Sequence, residues 1–193
     1  MPDGIRIAAI SLMRRQDVNR FRRHWLDVHG RLVCAFPRPR AYGQCHVIDS
    51  IAANEDGLPA RIDGFPIPYF DNDSDRTQAH NSPEMAVCNI DSQHFAGAVS
   101  RVIADVAGPL RADPGRFSLI ELWPGQPTAQ GRSVVYTVRE PGAAPNSVIP
   151  HWPIVVGAVT QTWFDRLVAL ERAAADLRDR SAARFVVEEH WLS

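Results

Sequence analysis

The sequence has no lysine: all 21 Lys and Arg positions are arginine. That excludes a Schiff-base lysine, and with it pyridoxal-phosphate or class I aldolase chemistry by the usual route. Neither GxGxxG nor GxxxxGKS/T occurs, so nothing points to a dinucleotide or nucleoside triphosphate site. Cysteine is scarce, and Cys34, Cys45 and Cys88 fit no CxxC spacing. They read as reduced, buried, intracellular thiols. No apolar run approaches ~18 residues, and Met1–Ile10 is too short and too polar for a signal peptide. A soluble, cytoplasmic protein without a membrane partner is expected. The net charge of −1 leaves no electrostatic case for nucleic acid.

What is present is enough for a real core. The 193 residues are 45% hydrophobic and fit one ordinary domain or two small fused halves. Ile5 to Met13 reads as a central strand. Asp17 is a good N-cap ahead of an apolar stripe at Val18, Phe21, Trp25, Val28 and Leu32. At about 100° per residue these span a sector roughly 80° wide, with His29 about 55° from its centre and His24 about 85° off on the other side. His29 should therefore face the core margin and His24 the flank, with Arg14, Arg15, Arg22 and Arg23 largely solvated. Gly30 inside the helix costs about 1 kcal/mol relative to Ala. Pro37 and Pro39 should stop the helix near Phe36.

The next strand, Ala41 to Asp49, places Tyr42, Gln44, His46 and Ile48 on one face. Tyr, Gln and His together suit a wet, sheet-lined pocket better than a plain core. Ile62 to Phe70 is a third strand, whose Pro66 and Pro68 suggest an edge or bulge. A helical region from Ser74 to Ala79 breaks at Ser82-Pro83 and resumes through Glu84 to Ala98, and Val99 to Val106 is a fourth strand. The order β-α-β-β-α-β is ferredoxin-like. After a Gly/Pro/Asp-rich linker at 107–116 come strands at Phe117–Trp123, Val134–Val138 and Ile154–Thr160, a helix at Trp163–Leu177 and a closing strand at Arg184–Leu192. Element order thus suggests a second ferredoxin-like half that has lost its first helix. On the closing strand Glu188, Glu189 and His190 read as a solvated edge.

No metal site is expected. His24 and His29 are i, i+5, about 140° apart on a helix, whereas helical zinc ligands use i, i+4. Asp71, Asn72, Asp73 and Asp75 lack the Gly and terminal Glu of a calcium loop and suit a helix N-terminus capped by Asp or Ser74.

The first 110 or so residues resemble the EthD family. The residues that carry this are Trp25 to His29 (Trp-x-x-x-His), Tyr42 to His46 (Tyr-x-x-x-His), Asp63-Gly64-Phe65 ahead of Tyr69-Phe70-Asp71, Ser82-Pro83-Glu84, and Asp91 to Phe95 (Asp-x-x-x-Phe). The resemblance implies an α+β barrel of two ferredoxin-like halves, here fused in one chain as residues 1–110 and a degenerate 111–193, with room for a homodimer. It also implies cofactor-free chemistry on a small cyclic or aromatic oxygenated compound. No second Trp-x-x-x-His occurs, so the site should lie in the first half. His29 and His46 are the candidate acid/base pair of an isomerase or dehydratase-like lyase. Trp25, Tyr42, Gln44, Asp63 and Phe70 are candidates for substrate binding, with no cofactor and no metal. The alternatives are a non-catalytic small-molecule-binding or interaction protein on the same barrel, and a cofactor-free monooxygenase.

Overall fold

The alternating segments form strands that close on themselves. They are β1 (Ile5–Arg14), β2 (Ala41–Ala52), β3 (Gly64–Tyr69), β4 (Ala96–Ala107), β5 (Phe117–Trp123), β6 (Ser133–Pro141), β7 (Ala158–Phe164) and β8 (Ala183–Leu192). Their order around one closed barrel is β1-β3-β2-β8-β5-β7-β6-β4. Each neighbouring pair is antiparallel, including β4 against β1. The structure, a computed structural model, describes residues 5–14, 17–37, 39–52, 62–107, 117–127, 133–141, 148–151, 154–176 and 183–192.

The strand order contains one pattern twice. The first four strands lie as 4-1-3-2 and the last four as 8-5-7-6, the same arrangement four strands on. Seams at β2–β8 and β4–β6 join the two sets. In the first set, α1 (Val18–His24), a π-helical turn (Trp25–His29) and α2 (Gly30–Cys34) connect β1 to β2, and α3 (Asp73–His80) and α4 (Pro83–Phe95) connect β3 to β4. In the second, α5 (Leu167–Asp176) connects β7 to β8, and the described residues between β5 and β6 contain no helix. This is an α+β barrel of two ferredoxin-like halves in one chain, the second degenerate. The linker and the boundary expected at 110/111 lie outside the described residues.

Alternation sorts the core into two layers. Inside the barrel, Cys45, Phe65, Ile67, Ile120, Phe185 and Val187 belong to one buried cluster drawn from strands of both halves. A polar chain threads it. Tyr69 and Tyr136 share a hydrogen bond of 2.7 Å, the Tyr136 hydroxyl donates to Gln161 Oε1 at 2.8 Å, and Gln161 Nε2 donates to Glu189 Oε1 at 2.7 Å. Outside the barrel, Tyr42, Phe70 and Ile103 pack with Val33, Phe36, Met85 and Cys88 of the helices.

Several expectations are corrected. Pro66 and Pro68 do not put β3 at an edge, because it lies between β1 and β2. They are two residues apart, so their missing N–H groups fall on one side. The β2–β3 register is unbroken from Ala41↔Tyr69 to His46↔Gly64, while β1–β3 is registered only at Arg6↔Tyr69 and Ser11↔Gly64, with the prolines between. Glu189 is not on a solvated edge: β8 lies between β2 and β5, and the carboxylate is buried in the barrel. The last helix begins at Leu167, since Trp163 and Phe164 end β7, where Val159 and Trp163 enter the interior with period two. Arg22 is not solvated, and its Nη2 donates to the Val47 carbonyl at 2.7 Å.

Helix starts follow the side chains that cap them. Asp17 accepts from the backbone N–H groups of Asn19 and Arg20. Ser82 caps α4 ahead of Pro83. At α3 the cap is Asn72, not an Asp or Ser74, and its side chain accepts from Asp75 N–H at 2.8 Å.

Candidate functional site

The first helix is not regular, and its irregularity sets the site. Across the π-turn the Gly30 N–H bonds to the Trp25 carbonyl, five residues back. One extra residue in the turn slips the buried stripe by about one position. After Phe21 and Trp25 the buried positions are Gly30 and Val33, while Val28 is 44% exposed. The same slip brings His29 inward, its side chain 12% exposed. Gln44 Nε2 also donates to the Trp25 carbonyl, at 2.8 Å. A Cβ at position 30 would lie 2.9 Å from that nitrogen, so glycine is what lets the turn sit this close to β2.

Between this helix, α4 and the outer face of the barrel lies a cavity of ≈ 100 Å³, walled by Trp25, His29, Tyr42, Pro66, Pro68 and Phe95 among others. That is somewhat less than the roughly 150 Å³ of an apolar cavity that holds benzene, so the scale is that of a small molecule. The cavity is outside the barrel, on the face opposite the interior cluster.

His29 Nδ1 is 2.9 Å from Asp91 Oδ2, and His24 Nε2 is 2.9 Å from Asp91 Oδ1. One carboxylate on α4 thus takes both histidines of the first helix. On a regular helix their i, i+5 spacing would separate them; the π-turn brings them together. Phe95, one turn after Asp91, packs against both rings, at 5.2 Å from His24 and 4.8 Å from His29. Burial pushes the Asp91 carboxyl up, but hydrogen bonds from His29 and His24, and their charge, outweigh it and hold it below the usual aspartate range. Ionised Asp91 turns His29 Nδ1 toward itself, so that in the neutral ring the proton belongs on Nδ1 and the lone pair on Nε2.

Tyr42 completes this wall. Its hydroxyl accepts from Trp25 Nε1 and from Gln44 Nε2, both at 3.3 Å. With both lone pairs taken and no acceptor for its own proton among the described residues, the O–H is left to donate to a cavity ligand. Burial pushes the phenol far above its ordinary range, despite the bonds from Gln44 and Trp25 that favour its ionised form. The neutral phenol can thus donate a hydrogen bond but is poorly suited to act as a base.

The expected meeting of His29 and His46 does not occur. His46 is absent from the cavity wall. Its ring stacks on the Trp25 indole and meets His190 edge-on at 4.7 Å, and its Nε2 is 3.1 Å from Gln44 Oε1. Strand alternation does put Tyr42, Gln44 and His46 on one outer face, but two residues along a strand are ~7 Å, and only Tyr42 reaches the opening. Burial, then the charges of His190 and Arg22, lower the His46 pKa to about 3. Gln44 is buried and holds Trp25, Tyr42 and His46 in place. Phe70 is in the outer core, and Asp63 is buried, its carbonyl accepting from Val47 N–H at 3.1 Å. Neither lines the cavity.

Sequence reasoning overlooked Asp91, His80 and Arg101. Asp91 and Phe95 stand in the Asp-x-x-x-Phe spacing on α4, which was a legible signal. His80 and Arg101 carry no local pattern, and only the barrel brings them to the same cavity.

Among the described residues no helix is long and apolar enough to cross a membrane. Solved structures similar to this chain include an anthrone oxidase-like protein, with a TM-score of 0.58 and 10% identity over 99% of this chain and 94% of that one. A monooxygenase-like protein of Fusobacterium nucleatum has a TM-score of 0.55 and 8% identity over 99% of this chain and 93% of that one. An ethyl tert-butyl ether d (EthD) family protein of Bacillus halodurans covers 52% of this chain and 95% of its own, at 19% identity and a TM-score of 0.43. At these identities the two full-length likenesses bear on the fold. No family model matches the chain, and no curated protein does.

Proposed function

We propose that this protein is a cofactor-independent acid/base enzyme, an isomerase or dehydratase-like lyase acting on a small cyclic or aromatic oxygenated compound. The observation that carries the reading is the 2.9 Å bond from His29 Nδ1 to Asp91, on a ring that also lines the cavity. His29 Nε2 would take a proton from carbon next to a carbonyl. The Tyr42 hydroxyl would donate to the oxygen on which charge develops. Return of the proton to a different carbon completes an isomerisation; loss of hydroxide as water completes a dehydration. His24 acts through Asp91 and is a positioning residue.

The test requires no known substrate. A panel of cyclic ketones and hydroxylated aromatics is incubated with the protein in D₂O, and deuterium uptake at the acidic carbon is followed by NMR. His29→Gln and Asp91→Asn are each expected to slow uptake by about 10²–10⁴-fold. Binding of a panel member with no exchange above buffer would instead favour a non-catalytic small-molecule-binding protein. The likeness to monooxygenase-like and anthrone oxidase-like structures favours one further reading, in which the same deprotonation precedes oxygenation of an aromatic ring. O₂ uptake that depends on His29 would replace the isomerase reading with that one.

A further inference from the structure

We propose that Arg101 and His80 form a carboxylate-binding subsite in the same cavity, so that its ligand is a small cyclic or aromatic acid. This rests on the cavity being the substrate site and adds the class of substrate.

Arg101 faces outward from β4, between Val99 and Ile103, and lines the cavity. The cavity wall includes no Asp or Glu. Among the described residues the guanidinium has no ion pair and no hydrogen bond, although nearby arginines do: Arg76 pairs with Asp73 at 2.9 Å, and Arg139 reaches Asp73 and Asp105. A half-buried charge without a counterion is costly, and arginine cannot escape the cost by losing its proton under ordinary conditions.

His80, at the end of α3, lines the same cavity. Both of its ring nitrogens are buried and neither has a hydrogen-bond partner. Such orphans in a native fold call for a missing partner. Burial, then the positive charges of Arg101 and Arg76, lower its pKa to about 4, so the ring is neutral at pH 7 and still carries one N–H. A carboxylate placed here would answer both deficits: the planar guanidinium suits two carboxylate oxygens, and the imidazole N–H can bond one of them. His29 and Tyr42 lie on the wall of the same cavity, and a ring would span from the carboxylate toward them.

The test uses a matched pair of probes, benzoate and neutral benzamide, titrated at pH 7 by calorimetry and by NMR of the histidine rings. Wild-type protein should bind benzoate on the order of 10–100-fold more tightly than benzamide, as expected for charge-assisted hydrogen bonds. The His80 ring signals should move on addition of benzoate. Arg101→Gln should remove the preference for benzoate by weakening benzoate far more than benzamide, and His80→Gln should weaken benzoate binding several-fold. His29→Gln should keep the preference, which separates this proposal from the catalytic one. Equal binding of the two probes by wild type would overturn the subsite without recourse to any variant, as would a benzoate preference that survives Arg101→Gln.

Discussion

The Trp25 indole lies nearly parallel to the His46 imidazole, with ring centroids 4.5 Å apart and planes 9° apart. Trp25 lines the cavity and His46 does not. The stacked indole therefore stands on the cavity wall where His46 does not, and His46 serves to hold it.

A buried neutral histidine makes the fold acid-sensitive. Unfolded, His46 would titrate near 6.5; folded, it titrates at about 3. Between these values the unfolded chain binds a proton that the folded one does not, so stability falls as pH falls from about 6.5. His80, at about 4, acts in the same direction. Each group contributes a slope of up to about 1.4 kcal/mol per pH unit. Urea midpoints between pH 7 and 4.5 should drop steeply in wild type and less steeply in His46→Gln. Parallel profiles for the two proteins would show that His46 is not held neutral.

Gly64→Ala tests the seat of Trp25. A Cβ at position 64 would overlap the Cζ3 and Cη2 atoms of the indole. The ring is buried and backed by His46, so it has no easy retreat. The expected cost is about 1–3 kcal/mol in urea unfolding, with loss of ligand binding in the cavity. An unchanged midpoint would mean that the indole is free to shift.

Tyr42→Phe should separate binding from chemistry. Removing the hydroxyl takes away the cavity's O–H donor and an acceptor for Trp25 and Gln44. Stability should fall by about 1–3 kcal/mol. Turnover, measured as deuterium uptake, should fall on the order of 10²–10³-fold, with KM changed only a few-fold. A rise in KM at constant turnover would make Tyr42 a binding residue alone.

Glu189→Gln addresses the barrel interior. Oε2 accepts from Trp163 Nε1 at 3.1 Å and Trp191 Nε1 at 3.0 Å, while Oε1 accepts from Gln161. An amide can replace only one oxygen, so in either orientation its NH₂ faces a donor. The expected result is a loss of about 1–3 kcal/mol with cavity binding intact. Altered ligand binding at unchanged stability would assign the interior a functional part.

Side-chain spacing alone determined most of the elements of this chain. Period-two alternation marks the strands, Asp17 marks one helix start and Ser82-Pro83 a break between two helical stretches, and the order of elements yields the two ferredoxin-like halves, because these signals are local and each element carries its own. The 3.6-residue period also turns His29 inward approximately, yet it cannot register a π-turn, which depends on Gln44 bonding the Trp25 carbonyl and on Gly30 fitting against β8. Tertiary structure decided the partners. Asp91 is 62 residues from His29 in the chain, and Arg101 and His80 share a wall only because β4 and α3 meet the same cavity. It also decided that His46 is excluded, since a strand fixes which face a side chain takes but not which neighbouring ring will cover it. Hydrogen bonding and burial at such long separations are properties of packed surfaces, and those exist only once the barrel has closed.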